Sequence, residues 1–170
     1  MAHAIEAPSA WVMQWAPLIA RGPVLDLACG TGRHARWLAA RGLEVVAVDR
    51  EPRSIAGARF VRAELEGGRP WPFPGQRFAG IVIANYLHRP LYETLLTALA
   101  PHGVLIYETF MGGNERFGRP SNPAYLLRPG ELLEAFASLQ VLAFEQGCVL
   151  EPRPARVQRL CARRQSGGLE

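Results

Sequence analysis

Two glycines, two aspartates and the spacing between them carry the clearest chemistry in this 170-residue chain. Val24-Leu25-Asp26-Leu27-Ala28-Cys29-Gly30-Thr31-Gly32 reads as a short buried strand (24–28) running into a glycine turn, with a helix expected at 33–41. Glycines at such a turn let a ligand approach backbone that a Cβ would block. The helix start beyond it offers free amide donors and a positive dipole end to a carboxylate or phosphate. Seventeen residues after Gly32, a second strand (44–49) ends at Asp49, where a carboxylate can accept both hydroxyls of a ribose lying across the strand ends. Asp26 and Asp49 are the only aspartates in the chain, and both fall at these positions. The pattern implies a nucleoside-containing cofactor.

These residues need a scaffold, and the rest of the chain supplies one. Apolar runs alternate with helical patterns, which is the signature of a mainly parallel sheet with helices on both faces. An amphipathic helix is expected at 9–20, with Ser9 as its N-cap and Trp11 and Trp15 on one packing face. Further strands are expected at 60–65, 78–86 and 104–110, and a terminal hairpin at 139–145 and 156–163. Helices are expected between the first five strands and at 131–137. The 67–77 stretch, with three prolines and three glycines, is expected as a loop. The run at 78–86 is the most continuous apolar one and belongs at the sheet centre. The reading is one α/β domain over 1–170: a Rossmann-like, doubly wound, seven-stranded sheet, mostly parallel with an antiparallel last strand.

Composition narrows the classes. A hydrophobic content of 49% suits a single core, and the apolar runs are too short to span a bilayer. Residues 1–8 lack the basic and apolar regions of a signal peptide, so a cytoplasmic location is the expectation. Cys29, Cys148 and Cys161 form neither a disulfide framework nor a metal-ligand spacing. The net charge of +4 rests on 19 arginines and no lysine. Five arginines fall between Arg153 and Arg164, without the interleaved aromatics of a single-strand stacking platform, so a nucleic-acid partner is possible but not favoured.

The glycine turn alone leaves a dinucleotide open, because Gly30 to Ala35 also fits the loose GxGxxG/A pattern. An acid inside the first strand and a chain too short for a hydride-acceptor domain favour S-adenosylmethionine. Val-Leu-Asp-Leu-Ala-Cys-Gly-Thr-Gly followed by Val-Val-Ala-Val-Asp closely resembles the first two motifs of class I S-adenosylmethionine-dependent methyltransferases. The resemblance runs over roughly residues 9–163. Gly-Thr-Gly-Arg-His-Ala with Asp49-Arg50 is most similar to the small bacterial branch that includes tellurite-resistance methyltransferases. It implies that Ala28, Cys29 and Gly30 line the methionine part of S-adenosyl-L-methionine through their backbone, with Asp26 and Gly32 in the same motif. It implies Asp49 on the ribose, Arg50 against the adenine, Glu64 and Leu65 at the adenine edge, and Asn85 and Leu87 closing over the methionine end. The family more often carries Asp at the Glu64 position.

A sulfonium methyl is already activated, so an enzyme of this kind chiefly aligns a nucleophile and excludes water. Acceptors bind above the C-terminal strand ends, which points to Tyr86, His88, Arg89 and the 107–110 segment. His88 and Glu108 are the candidate catalytic groups, with a solvent-exposed helix start the alternative for His88 and a loop tether the alternative for Glu108. Tyr86, Arg89, Phe110, Asn114 and Phe117 are the candidate acceptor contacts. Residues 111–128, rich in Gly, Asn and Pro, are expected to form a lid. The expected activity is methyl transfer to a small molecule such as a thiol, chalcogen oxyanion or metabolite. Methylation of RNA and cofactor binding without catalysis are the alternatives; the oligomeric state is not legible.

Overall fold

The computed structural model describes residues 6–167; residues 1–5 of the stretch read for a leader lie outside them. Seven strands form one sheet: β1 (Pro23–Leu27), β2 (Glu44–Asp49), β3 (Ala58–Arg62), β4 (Phe78–Ala84), β5 (Leu99–Phe110), β6 (Gln140–Val149) and β7 (Ala155–Arg163). Their order is β3-β2-β1-β4-β5-β7-β6. The first five are parallel, while β7 runs antiparallel between β5 and the edge strand β6. This is the mostly parallel, Rossmann-like sheet that the apolar runs predict. Because the order reverses between β1 and β4, a crevice opens beyond the carboxyl ends of those two strands.

Side-chain alternation sends the two faces of the sheet to different cores. Leu25, Leu27, Ile81, Ile83 and Tyr107 pack with Phe136 on one face. Val24, Ala47, Val82 and Ile106 pack with Trp11 and Val12 on the other. Helices α1 (Ala10–Trp15) and α2 (Arg33–Ala40) lie on the second face. Helices α3 (Tyr92–Ala98) and α4 (Glu131–Ala135) lie on the first.

Several expectations are corrected. Ser9 does cap α1, its Oγ accepting from the Trp11 N–H at 3.2 Å, but Pro17 turns residues 16–18 into a 3-10 turn instead of a helix reaching residue 20. The expected helix between β2 and β3 is absent, and Pro52 and Gly57 bound that crossing; between β3 and β4 lies the proline-rich loop expected there. Aromatic rings fill the space that a helix would cover there: Trp71, Phe73 and Phe78 stack edge to face, with centroids 5.4 and 5.5 Å apart. β3 ends at Arg62, so Glu64 and Leu65 lie past the strand they were expected to finish. The helix expected at 91–99 gives way to β5 at Leu99, and residues 100–103, expected only to break that helix, bulge within the strand.

Candidate functional site

Both strand ends at the sheet reversal carry a strained residue. Ala28, just past β1, has φ +52°, and Asn85, just past β4, has φ +57°. Neither is glycine, and left-handed backbone at such positions clusters at ligand sites. The Asn85 N–H donates to the Glu108 carbonyl at 2.9 Å, fixing its turn to β5. The two glycines between β1 and α2 serve different ends. Gly32 takes φ +80°, and a Cβ there would meet Ile55 Cδ1 at 2.6 Å. Gly30 has φ +55° with nothing within 4 Å of where its Cβ would point, which leaves room for a ligand against the turn.

A cavity of about 430 Å³ opens beside this turn, in the size range of small-ligand sites. Six of the expected cofactor residues line it: Ala28, Asp49, Arg50, Glu64, Leu65 and Asn85. Asp49 organises the entrance. Its Oδ2 accepts from the Gly30 N–H at 2.8 Å and its Oδ1 from the Glu51 N–H at 3.0 Å. A carboxylate offers about four acceptor positions, so two remain for hydroxyls. Asp49, Glu51, Glu64 and Glu66 set four carboxylates on the wall against the single guanidinium of Arg50. That balance attracts a cation and repels a pyrophosphate.

The other motif residues sit behind the wall. Cys29 is buried among apolar groups, and burial first, then Asp26 and Asp49, push its thiol up to about 12, so it is no nucleophile at neutral pH. Asp26 shares the face of Val24 and lies fully buried beneath α2, with Oδ2 unpartnered. Burial raises its carboxyl to about 7, partly offset by the Ala35 N–H and the charge of Arg33.

A second cavity, about 220 Å³, shares Glu66, Asn85, Tyr86 and Tyr125 with the first and adds Leu87, Thr109, Phe110 and Pro120. Tyr86 and Phe110, expected at the acceptor, line this cavity, as does Thr109 of the 107–110 segment; Leu87, expected over the methionine end of the cofactor, lines this cavity and not the first. Glu66 and Tyr125 are wall residues that were not among the candidate contacts. Glu66 follows directly on the Glu64-Leu65 pair, which is the one local signal that marks it. Tyr125 belongs to the expected lid.

Five other candidates are corrected. Glu108 faces α1, as its alternation with Ile106 requires, and not the cavities. Its Oε1 accepts from Ser9 Oγ at 2.7 Å, and its Oε2 pairs with Arg159, which also holds Glu145 at 2.7 Å. Arg89 grips Glu131 with two N–H groups at 2.6 and 3.0 Å and donates to the carbonyls of Ala124 and Leu126 at 2.9 Å each. Burial pushes the Glu131 carboxyl up, but Arg89 and the Arg128 N–H more than offset it and leave it below its ordinary value. Asn114 is buried and doubly satisfied, donating to the Pro120 carbonyl at 3.1 Å and accepting from the Arg156 N–H at 3.0 Å. Phe117 is 45% exposed, and like His88 it lines neither cavity. Among the described residues, no cluster could hold a metal ion, and no helix is long and apolar enough to cross a membrane.

The N-terminal helix is latched next to the site. The Ser9 N–H donates to His34 Nε2 at 3.0 Å, which requires a neutral imidazole, and burial with the charge of Arg33 lowers His34 to about 3. Between about pH 4 and 6.5, unfolding therefore binds a proton at His34 and releases one at Asp26, whose folded pKa is raised. Taken alone, the two slopes cancel. Asp26→Asn will leave His34 uncompensated, so stability will rise with pH in this window relative to the parent, by about 1.4 kcal/mol per pH unit. His34→Gln will tilt the difference the other way. Urea denaturation at pH 4.5, 5.5 and 6.5 measures both, and parallel curves for parent and variants would contradict the assignment.

Residues 24–103 match the family described as "Methyltransferase domain". Ribosomal RNA small subunit methyltransferase H of Gemmatimonas aurantiaca is 28% identical over 83% of this chain and 46% of its own length. Trans-aconitate 2-methyltransferase of Methylobacterium nodulans is 34% identical over 58% of this chain and 42% of its own. The chain thus spans less than half the length of these curated relatives. Among solved structures, TehB from Haemophilus influenzae superposes with a TM-score of 0.74 at 17% identity, covering 91% of this chain and 61% of that one. Residues 24–103 are thus similar to a methyltransferase domain family, and the seven-stranded sheet has the fold of TehB.

Proposed function

We propose that this chain is an enzyme that transfers a methyl group from S-adenosyl-L-methionine to a small-molecule acceptor. The observation that carries the reading is the first cavity, where Asp49 keeps free acceptor positions beside the open face of Gly30 and four carboxylates face one arginine. Such a wall suits a ligand with a sulfonium and an ammonium, and it disfavours the pyrophosphate of a dinucleotide. Ala28, Gly30 and Asn85 would hold the methionine end, Asp49 the ribose, and Arg50, Glu64 and Leu65 the adenine. The bound sulfonium supplies an activated methyl group, and the chain's part is to align the acceptor and keep water out.

The small-molecule part rests on the second cavity, which is contiguous with the first and roofed by Pro120 and Tyr125 of the 111–128 segment. We read that segment as a lid held at its far end by Arg89. The methyltransferase that acts on ribosomal RNA among the relatives favours RNA as a second reading. The C-terminal arginines support it poorly, because Arg159 is spent on Glu108 and Glu145, and Arg164 on the Leu96 and Leu99 carbonyls. Incubation with methyl-labelled S-adenosylmethionine and either a metabolite extract or total RNA separates the two. The label is expected in a small product; label in RNA alone overturns the small-molecule reading.

A further inference from the structure

The second cavity has a charge and a chemistry that narrow its occupant. Its one charged side chain among the described residues is Glu66. Glu108 and Glu131, which line neither cavity, are neutralised by Arg159 and Arg89, but no cation of the described residues lies within salt-bridge distance of Glu66. Its Oε1 accepts only a hydrogen bond from Tyr86 Oη, at 3.2 Å. Tyr86, Phe110 and Tyr125 bring three aromatic side chains to the same wall, and Tyr125 is 52% exposed. Arg89, the candidate clamp for an anion, is consumed by Glu131 and two carbonyls, and Arg50 lines only the first cavity.

From this juxtaposition, and resting on the methyl-transfer reading, we propose that the acceptor is an amine carried on an apolar or aromatic body, and that the pocket rejects anionic acceptors. A carboxylate together with aromatic faces is the combination that holds an organic cation, by charge and by the ring quadrupoles. An anion there would face Glu66 with no compensating donor of opposite charge. The same environment serves the transfer. An ammonium first loses its proton to solvent, and the free nitrogen lone pair then forms the new N–CH3 bond as the S–CH3 bond breaks. The positive charge passes from sulfur to nitrogen and stays between Glu66 and the rings, while the sulfur leaves as a neutral thioether. Stabilising charge where it develops is what lowers such a barrier.

Three probes with the same phenyl and three-carbon frame test this by NMR titration: 3-phenylpropylammonium, 3-phenylpropanol and 3-phenylpropionate, each added to free and to S-adenosylhomocysteine-saturated protein at pH 7.5. The ammonium is expected to bind at least ten-fold tighter than the carboxylate, with the alcohol between. Glu66→Gln should shrink that ratio at least five-fold, and Tyr125→Leu should weaken the ammonium more than the alcohol. Equal binding of ammonium and carboxylate, a reversed order, or a ratio unmoved by Glu66→Gln overturns the proposal. So does a failure of every probe to bind while S-adenosylhomocysteine still binds, an outcome that leaves the cofactor reading intact. If S-adenosylhomocysteine fails to bind, the cofactor reading falls, and the ratio in the free protein still decides the chemistry of the pocket.

Discussion

Asp49→Asn will weaken S-adenosylhomocysteine binding by about 10- to 100-fold while changing the melting temperature by only a few degrees. The carboxylate meets the Gly30 and Glu51 N–H groups with one oxygen each, and its remaining positions face the cavity. Asparagine keeps one oxygen acceptor but presents N–H donors where the second oxygen stood, and it loses the charge. Hydrogen bonds to a charged partner contribute about 1.5–3 kcal/mol, which converts to the stated range. Gly30 is the complement to this test. Gly30→Ala must place its Cβ in the open face of the turn at φ +55°, so it should block the ligand without touching the carboxylate. Calorimetric titration reads both variants, and an affinity unchanged by Asp49→Asn would remove the ribose from Asp49.

Arg89→Ala will lower the melting temperature by about 5–10 °C and unfasten the 111–128 segment. Glu131 is buried and accepts from Arg89, Tyr92 and the Arg128 N–H, so removing the Arg89 guanidinium leaves a buried carboxylate with only the exposed Arg128 guanidinium, 3.7 Å away, as counter-charge. Breaking a buried pair costs about 3–5 kcal/mol, and the lower part of that range applies because Arg89 itself is about a third exposed. At this chain length each kcal/mol shifts the melting point by about 2–4 °C. The carbonyls of Ala124 and Leu126 lose their donors at the same time, so hydrogen exchange at 124–127 should accelerate more than in the sheet. Arg89→Lys keeps the charge but not the fork, and should fall between the two. An Arg89→Ala variant that melts with the parent would contradict the tether.

Six residues of the first cavity's lining were legible because their signals are local. Asp26, the glycine turn and Asp49 lie within two strand ends, and the turn conformation that each glycine needs can be read from its neighbours in the chain. The seven strands were legible because alternating apolar runs dictate them, though not their ends: β3 stops short of Glu64, and β5 begins inside the supposed preceding helix. The candidates Glu108, Arg89 and Asn114 were misread because the deciding partner of each is distant. Arg159 lies 51 residues from Glu108, Glu131 lies 42 from Arg89, and Arg156 lies 42 from Asn114. No spacing rule reaches that far, so each side chain looked free when it was already taken. Only Glu108 carried a readable warning, since period-2 alternation in β5 puts it on the face of Ile106, beneath α1.

The most direct measurement is a pair of calorimetric titrations of the same protein, one with S-adenosylhomocysteine and one with NAD. An open glycine turn, a carboxylate with two free acceptor positions and a wall of four acids against one arginine predict single-site binding of S-adenosylhomocysteine, with NAD at least 100-fold weaker. Preferential binding of NAD, or no binding of S-adenosylhomocysteine, would contradict the account.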